Sequence, residues 1–388
     1  MSEISRDFTL LQVTPELETG GAEQTTLDVA AAVARAGGSS LVASRGGRMA
    51  ERLEASGARL ITLPVHSKNP LVIADNARRL ARLIREEKVS LVHARSRAPA
   101  ISALWAARAT GTAFVTTYHG VYNAKSALKR WYNSVMTRGD IVIANSAYTA
   151  SQILAKYRVD PARLATIPRG VDLARFDPAQ VSPERVNALR QAWGIEAGDG
   201  RVKFLLGGRL TRWKGQTLLI DAAARLRASG EDRFVILLAG DDQGRSAYRQ
   251  ELEGAIAAAG LGDSVRLVGH CDDMPAAYLL ADLACAPSLD PEPFGRTAVE
   301  PQAMGRPVLA ADHGAARETV IAGETGWLVA PGDPDAWARA LEDAITTSPG
   351  RRAEMGQAGQ DRARRLYSVE AMCEATLAVY RRVLEAHR

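Results

Sequence analysis

The chain has 388 residues, 46% of them hydrophobic and 24% charged, a globular composition that excludes a disordered, collagen-like or disulfide-scaffold protein. At roughly 150 residues per domain this length predicts two or three domains. The formal charge of +5 is unevenly spread: residues 1–170 carry +10 and residues 171–388 carry −5, so one half is expected to face an anionic partner such as a phosphate, a membrane surface or nucleic acid.

In chain order, FTLLQV (8–13), SLVAS (40–44), RLITL (59–63), SLVHA (90–94), AFVTTY (113–118) and DIVIAN (140–145) read as strands, with helical patterns between them at 22–36, 71–88 and 126–137. The alternation resumes with KFLLGG (203–208), FVILLAG (234–240), SVRLVG (264–269), DLACAP (282–287) and RPVLA (306–310), separated by helices such as 215–228 and 245–259. Strand-helix-strand order with almost continuously apolar strands predicts parallel sheets covered on both faces, hence two doubly wound α/β domains. The segment 167–185, punctuated by Pro168, Pro178 and Pro183, interrupts the pattern and reads as the connection between them. Beyond about residue 333 the pattern is helical, and 369–384 forms one long helix. No apolar run approaches the roughly 18 residues of a membrane-spanning helix, and MSEISRDFTLLQV lacks the features of a signal peptide, so a cytosolic location is expected. Cys271, Cys285 and Cys373 are odd in number and widely spaced, which suits buried small hydrophobes better than a disulfide or zinc site.

Ligands of open parallel sheets collect at the carboxyl ends of the strands, so the loops there carry the chemistry. After the first strand, Gly20 and Gly21 precede a helix, where close backbone approach and the helix N-terminus favour an anion. This is not G-x-G-x-x-G, which argues against a dinucleotide dehydrogenase. RLTRWKG places Arg209 and Lys214 five residues apart across a strand-to-helix turn, a cation pair suited to a diphosphate. In SLDPEPFGRTAVEPQAMG, Glu292 and Glu300 are eight residues apart around a helix expected to begin at Phe294, with the N–H groups of Phe294, Gly295, Arg296 and Thr297 offered to phosphate oxygens. On one helix the two carboxylates would be roughly 12 Å apart, beyond the ~5–9.5 Å of hydrolytic pairs, so they are expected to hold two ends of one ligand. His119 ends a strand before Gly120 and is placed to hydrogen-bond a substrate hydroxyl. Each of these features also has an ordinary structural explanation: a flexible turn, solvated cations, a helix-terminal charge, a loop histidine. Their weight lies in convergence.

Taken in order, the turn at Gly20 and Gly21, His119 in YHG, the phrase IPRGVD, GRLTRWKG, and EPFGRTAVE followed by PQAMGRPVLAADHGAARETVIAGETGWLV resemble glycosyltransferase family 4 along nearly the whole chain. The resemblance implies the GT-B fold, two Rossmann-like domains facing each other across a cleft, with an N-terminal acceptor-side domain (1–170), a C-terminal nucleotide-sugar domain (171–368) and a terminal helix (369–388) crossing back to the first. It also implies a nucleotide-sugar donor, retention of anomeric configuration without a covalent carboxylate intermediate, and no metal or other cofactor. Glu292 would then contact donor sugar hydroxyls and Glu300 the ribose. Arg209 and Lys214 would neutralise the diphosphate, Gly21 would approach it from the other lobe, and His119 would bind the sugar. Arg169 departs from the family, which commonly has Asn in that phrase.

For the acceptor, Arg78, Arg82 and Arg85 share one face of the 73–88 helix while Ala77, Leu80 and Ile84 form its apolar stripe, and KSALKRWYNSVMTR (125–138) combines Lys125, Lys129 and Arg130 with Trp131 and Tyr132. Such helices settle against anionic headgroups or a phosphorylated lipid, though solvated cations beside core aromatics explain them equally. The expected function is a retaining hexosyltransferase acting on a glycan or lipid-linked acceptor, in lipopolysaccharide, exopolysaccharide or glycolipid biosynthesis, peripheral to the inner face of the membrane. The alternatives are a nucleotide-sugar epimerase or other non-transferring enzyme of the same shape, and a nucleotide-sugar sensor. Nucleic acid is not expected as a partner, because no recognised reader element accompanies the basic half.

Overall fold

Every strand pairing among the described residues is parallel, as continuous apolar runs joined by helical crossovers require. The computed structural model describes residues 7–18, 20–122, 126–244 and 246–387. Two units emerge, one containing the chain up to Gly170 together with the residues from Val369, the other running from Val171 to Ser368.

In the first unit, β1 (Thr9–Val13), β2 (Ser39–Ser44), β3 (Arg59–Thr62), β4 (Leu91–Ala94), β5 (Ala113–Tyr118), β6 (Ile141–Ala144) and β7 (Leu164–Thr166) form a sheet of order β3-β2-β1-β4-β5-β6-β7. Helices α1 (Gly21–Arg35), α2 (Ala50–Ala55), α3 (Pro70–Glu86), α4 (Arg97–Thr110), α5 (Ala127–Asn133) and α6 (Ala147–Lys156) connect them. The second unit opens with α7 (Pro183–Ala192) and arranges β8 (Val202–Gly207), β9 (Phe234–Ala239), β10 (Val265–Gly269), β11 (Leu283–Ala286), β12 (Val308–Ala311) and β13 (Gly326–Val329) as β10-β9-β8-β11-β12-β13. Its remaining helices are α8 (Gln216–Ala228), α9 (Ser246–Ala258), α10 (Met274–Leu280), α11 (Arg296–Ala303), α12 (Ala316–Thr319), α13 (Pro334–Thr346) and α14 (Pro349–Leu366). All six residues of β5 and of β9 are buried, which is why both strands read as unbroken apolar or β-branched runs.

The segment 167–185 is not a free connection. Val171, Phe176 and Val181 are buried in the core of the second unit, and Pro183 opens α7 behind the Ser182 cap. Pro70, Pro334 and Pro349 likewise sit in the first turns of their helices behind Asn69, Asp333 and Ser348, where a missing N–H costs nothing. The edge strands β7 and β13 lie outside the predicted set. β7 is three residues long and half-exposed, and β13 contains Gly326 and Trp327, so neither shows the long β-branched run of a central strand.

The last helix, α15 (Val369–Ala386), belongs to the first unit. Its Met372, Cys373, Leu377, Tyr380 and Val383 are buried with Leu10, Val29, Val115 and Ile143. The Tyr380 hydroxyl is 2.6 Å from Nδ1 of the fully buried His93, whose Nε2 is 2.7 Å from Thr117 Oγ1. Burial, reinforced by Arg95 and His119, holds the His93 pKa well below the usual imidazole value. Of the cysteines, Cys285 and Cys373 are buried and Cys271 is half-buried, all free. Among the described residues no helix is long and apolar enough to cross a membrane.

Candidate active site

Each sheet has a switch point, where strand order reverses and the loops above the carboxyl ends diverge to leave a crevice. In the second unit it lies between β8 and β11. The loop after β8 runs through a single 3₁₀ turn at Arg212–Lys214 into α8, and the loop after β11 carries Glu292 to the start of α11. Fold topology alone therefore brings Lys214 and Glu292 together: Lys214 Nζ is 2.8 Å from Glu292 Oε1, with both side chains mostly buried. The Ser288 hydroxyl donates to the same carboxylate oxygen. A carboxylate accepting from an ammonium and a hydroxyl is fixed in direction and keeps its second oxygen for a ligand.

Helix α11 begins at Arg296 rather than at Phe294. Gly295 caps it in the left-handed region at φ 78°, and Phe294 is a core residue whose ring meets Tyr367 edge-on at 5.7 Å. The amides of Arg296 and Thr297 are thus the first-turn donors, and the aromatic ring of Phe294 anchors the loop from below. Glu292 lies in the loop before the helix, so a helical rise does not describe its separation from Glu300. Glu300 is on α11 itself, buried, 2.6 Å from Arg296 Nη2, and accepts from the Tyr278 hydroxyl at 3.5 Å. Arg209 is exposed and pairs with no carboxylate among the described residues. A shallow hollow open to solvent is bounded by Ser288, Glu292, Gly295, Thr297 and His313.

His313, in the loop after β12, was not among the predicted site residues. Both of its ring nitrogens are shielded from solvent and lack a hydrogen-bond partner among the described residues. The signal that points to it is the one that pointed to the other loops, a polar residue within two positions of the end of an apolar strand. Ser288 carries the same signal after β11.

The switch point of the first unit lies between β1 and β4. Gly20 is the extended residue before α1 and Gly21 its first residue, so the loop after β1 ends at a helix N-terminus. The Arg169 guanidinium lies against Gly21, where a Cβ would collide with it, and its Nη2 donates to the His119 carbonyl at 2.9 Å. Asn145 Nδ2 donates to the same carbonyl at 3.2 Å. Gly21, His119 and Arg169 therefore converge, and the residue that departs from the family phrase is the one joining the other two. Both ring nitrogens of His119 lack a partner among the described residues, and burial, with Arg169 and Arg95 adding to it, depresses its pKa well below the usual value. The imidazole is accordingly neutral, a donor at one nitrogen and an acceptor at the other. Arg95, directly after β4, is buried and held by the Gln12 side-chain oxygen at 2.7 Å.

Of the proposed acceptor-side features, Arg78, Arg82 and Arg85 are exposed on α3 while Ala77, Leu80 and Ile84 are buried. Leu128 and Trp131 of α5 are 75% and 64% exposed, beside exposed Lys129 and Arg130. Lys125 lies outside the described residues.

Two Rossmann-like units, each with polar groups at its switch point, define the architecture of GT-B glycosyltransferases. Two family models match: Glycosyltransferase Family 4 over residues 19–175, and Glycosyl transferases group 1 over residues 190–362. The crystal structure of a glycosyltransferase from Rickettsia africae ESF-5 is 32% identical, with 97% of this chain and 98% of that one covered and a TM-score of 0.89. The chain belongs to glycosyltransferase family 4. Anabaena HepE, solved in complex with UDP and glucose, shares the fold at 24% identity and a TM-score of 0.80, covering 96% of this chain and 99% of its own. A curated relative, the D-inositol 3-phosphate glycosyltransferase of Salinispora tropica, is 35% identical over 66% of this chain and 53% of its own length. The chain thus spans little more than half of that relative.

Proposed function

We propose that the protein is a retaining hexosyltransferase that transfers a hexose from a nucleotide-sugar donor to an acceptor hydroxyl, without a metal. The observation that carries this reading is the meeting of the Lys214–Glu292 pair and the α11 N-terminus on one hollow at the switch point of the second unit. Cleaving the bond between the sugar and the diphosphate leaves negative charge on the departing oxygen. Lys214, Arg209 and the amides of Arg296 and Thr297 are the groups that stabilise it. Glu292, its direction set by Lys214 and Ser288, accepts from the donor sugar hydroxyls, and Glu300 takes the ribose. In the first unit the neutral His119 is a hydrogen-bonding group suited to a ligand hydroxyl, and the α1 N-terminus behind Gly20 and Gly21, with Arg169 against it, suits an anion. The acceptor's proton leaves with the diphosphate, on the face from which the sugar departs.

The relatives' names support transfer, and the UDP and glucose held by Anabaena HepE support a nucleotide-sugar donor. For the acceptor, exposed Trp131 and Leu128 amid Lys129 and Arg130 favour a glycan carried on a lipid at an anionic membrane surface, as in envelope glycan or glycolipid synthesis. A second reading, a phosphorylated cyclitol acceptor, is favoured by the curated relatives named D-inositol 3-phosphate glycosyltransferases. The deciding experiment screens UDP-, GDP- and ADP-sugars for a rise in thermal midpoint, then follows sugar transfer with the stabilising donor to lipid-linked glycans and to D-inositol 3-phosphate. Stabilisation by one donor and a glycosylated product are expected. Epimerised donor without acceptor, or binding without turnover, would replace transfer with the corresponding alternative. Salt-sensitive flotation with anionic vesicles, weakened by Lys129→Glu with Arg130→Glu, checks the membrane part.

A further inference from the structure

The carbonyl of His119, directly after β5, is held by residues that follow the next two strands of the sheet. Asn145, directly after β6, donates Nδ2 to it at 3.2 Å, and Arg169, beyond β7, donates Nη2 at 2.9 Å. A carbonyl oxygen has two lone pairs, so these donors fill it. We infer that Arg169 is a positioning residue for His119, acting on the transfer through the loop after β5. The inference deepens the reading above and rests on the role given there to His119.

Arg169 is built as a strut. The backbone on either side of it is fixed: the Ile167 amide donates to the Ala144 carbonyl at 2.8 Å, the Ile167 side chain is buried with Met372 and Leu377 of α15, and the Gly170 amide is 3.2 Å from Met372 Sδ. At the far end of the side chain, Nη1 lies against Gly21, whose missing Cβ is what gives the guanidinium room at the start of α1. A planar fork whose donor directions are fixed, seated on Gly21 at one nitrogen and on the His119 carbonyl at the other, holds that carbonyl in place and with it the Cα that carries the imidazole. An ammonium on a flexible stem reproduces the charge of this arrangement and not its geometry.

The guanidinium is also a charge beside the ring. Burial is the first cause of the depressed His119 pKa, and Arg169 is the next, ahead of Arg95. The titratable groups facing the imidazole are Arg169 from the segment after β7, with Arg95 and His93 from the end of β4, and none of these is an acid. Removing Arg169 makes the imidazolium less unfavourable, so the His119 pKa rises, and protonation, which takes away the acceptor nitrogen, sets in at a higher pH. Asn145 holds the same carbonyl without a charge. The two tethers therefore separate the placing of the ring from its protonation.

Arg169→Ala, Arg169→Lys and Asn145→Ala are compared with the parent in two measurements. The His119 imidazole is titrated by NMR in the free protein, its signal assigned with His119→Gln, and steady-state kinetics with the stabilising donor are followed across pH. Arg169→Ala should raise the His119 pKa, move the acid limb of kcat to higher pH with it, and lower kcat by roughly a hundredfold, as a misplacement of about 1 Å does, while donor KM changes less. Asn145→Ala should lower kcat with the His119 titration unmoved. Arg169→Lys should restore the titration and only part of kcat. The proposal is overturned if Arg169→Ala leaves the titration and the acid limb where they are in the parent, even with a lower thermal midpoint, or if it raises donor KM at parental kcat, the mark of a direct contact with the donor. The reading beneath it fails separately, through a parent that turns over no sugar nucleotide or a His119→Ala variant with parental turnover; the NMR titration reports on Arg169 and His119 in either case.

Discussion

Lys214 orients Glu292 across 2.8 Å, and in the proposed reaction its charge also faces the departing diphosphate, so one substitution tests both. Removing one preorganised charge-stabilising donor typically costs about 10²–10³ in rate. Lys214→Ala is therefore expected to lower kcat by that order while circular dichroism and thermal midpoint stay close to the parent's. Near-parental turnover at saturating donor would contradict the assignment. His93 makes a prediction of a different kind. The unfolded chain titrates this imidazole at its ordinary ~6.5, whereas burial keeps the folded-state value below that, so under acid the unfolded state binds the extra proton. The associated stability is complete above about pH 6.5 and is lost as pH falls, by up to about 1.4 kcal/mol per pH unit for one histidine. Urea titrations at pH 7.5 and 5.5 should show the lower midpoint at pH 5.5, and His93→Gln should narrow the gap; an unaltered gap would place the acid sensitivity elsewhere.

At the scale of elements, the site depends on loops bracing one another. Gly314, in the loop after β12, has φ +59°, and a Cβ there would fall 2.7 Å from the Glu292 carbonyl oxygen and 2.8 Å from its nitrogen. The Ala315 amide donates to that same carbonyl at 2.9 Å. Gly314→Ala adds left-handed backbone strain of about 1–2 kcal/mol and pushes on the backbone of Glu292. Steady-state kinetics beside calorimetry should show donor KM raised at least tenfold with a thermal midpoint only a few degrees lower; a lower midpoint with unchanged kinetics would mean that Glu292 had not moved. This bracing was invisible in the sequence, because it joins loops that follow different strands. The central strands were legible, since burial on both faces forces apolar runs such as FVILLA, whereas β7 and β13 at the sheet edges need no such run. The loops after β8 and β11 were legible as places where ligands gather, but the helical spacing of Glu292 and Glu300 does not hold, because the left-handed turn at Gly295 that separates Glu292 from α11 has no periodic signature. The contact of Arg169 with Gly21 and the His119 carbonyl needed the fold itself, for the three are remote in sequence.

At the scale of the whole molecule, the helix α15 determines which parts of the chain are separable. Its buried face covers Leu10, Val29, Val115 and Ile143, and Tyr380 is the partner of His93. Several large side chains at about 1.5–3 kcal/mol each amount to a sum comparable with the ~5–15 kcal/mol that stabilises an entire domain. A chain ending at Ser368 is therefore expected to lose its first unit and keep its second. Limited proteolysis should cut it throughout residues 7–167 while a fragment 171–368 resists, and equal resistance of both units would refute the role given to α15. The second unit arrives and leaves side by side, with the Val171 amide 2.6 Å from the Tyr367 carbonyl and Val171 bridged to Ser368. During synthesis this reverses the usual order of maturation. The sheet of the first unit, made before the second unit, must wait, its greasy side unshielded, until α15 clears the exit tunnel. The insert, complete in itself, closes first, so it is the early-made half that leans on chaperones in the nascent protein.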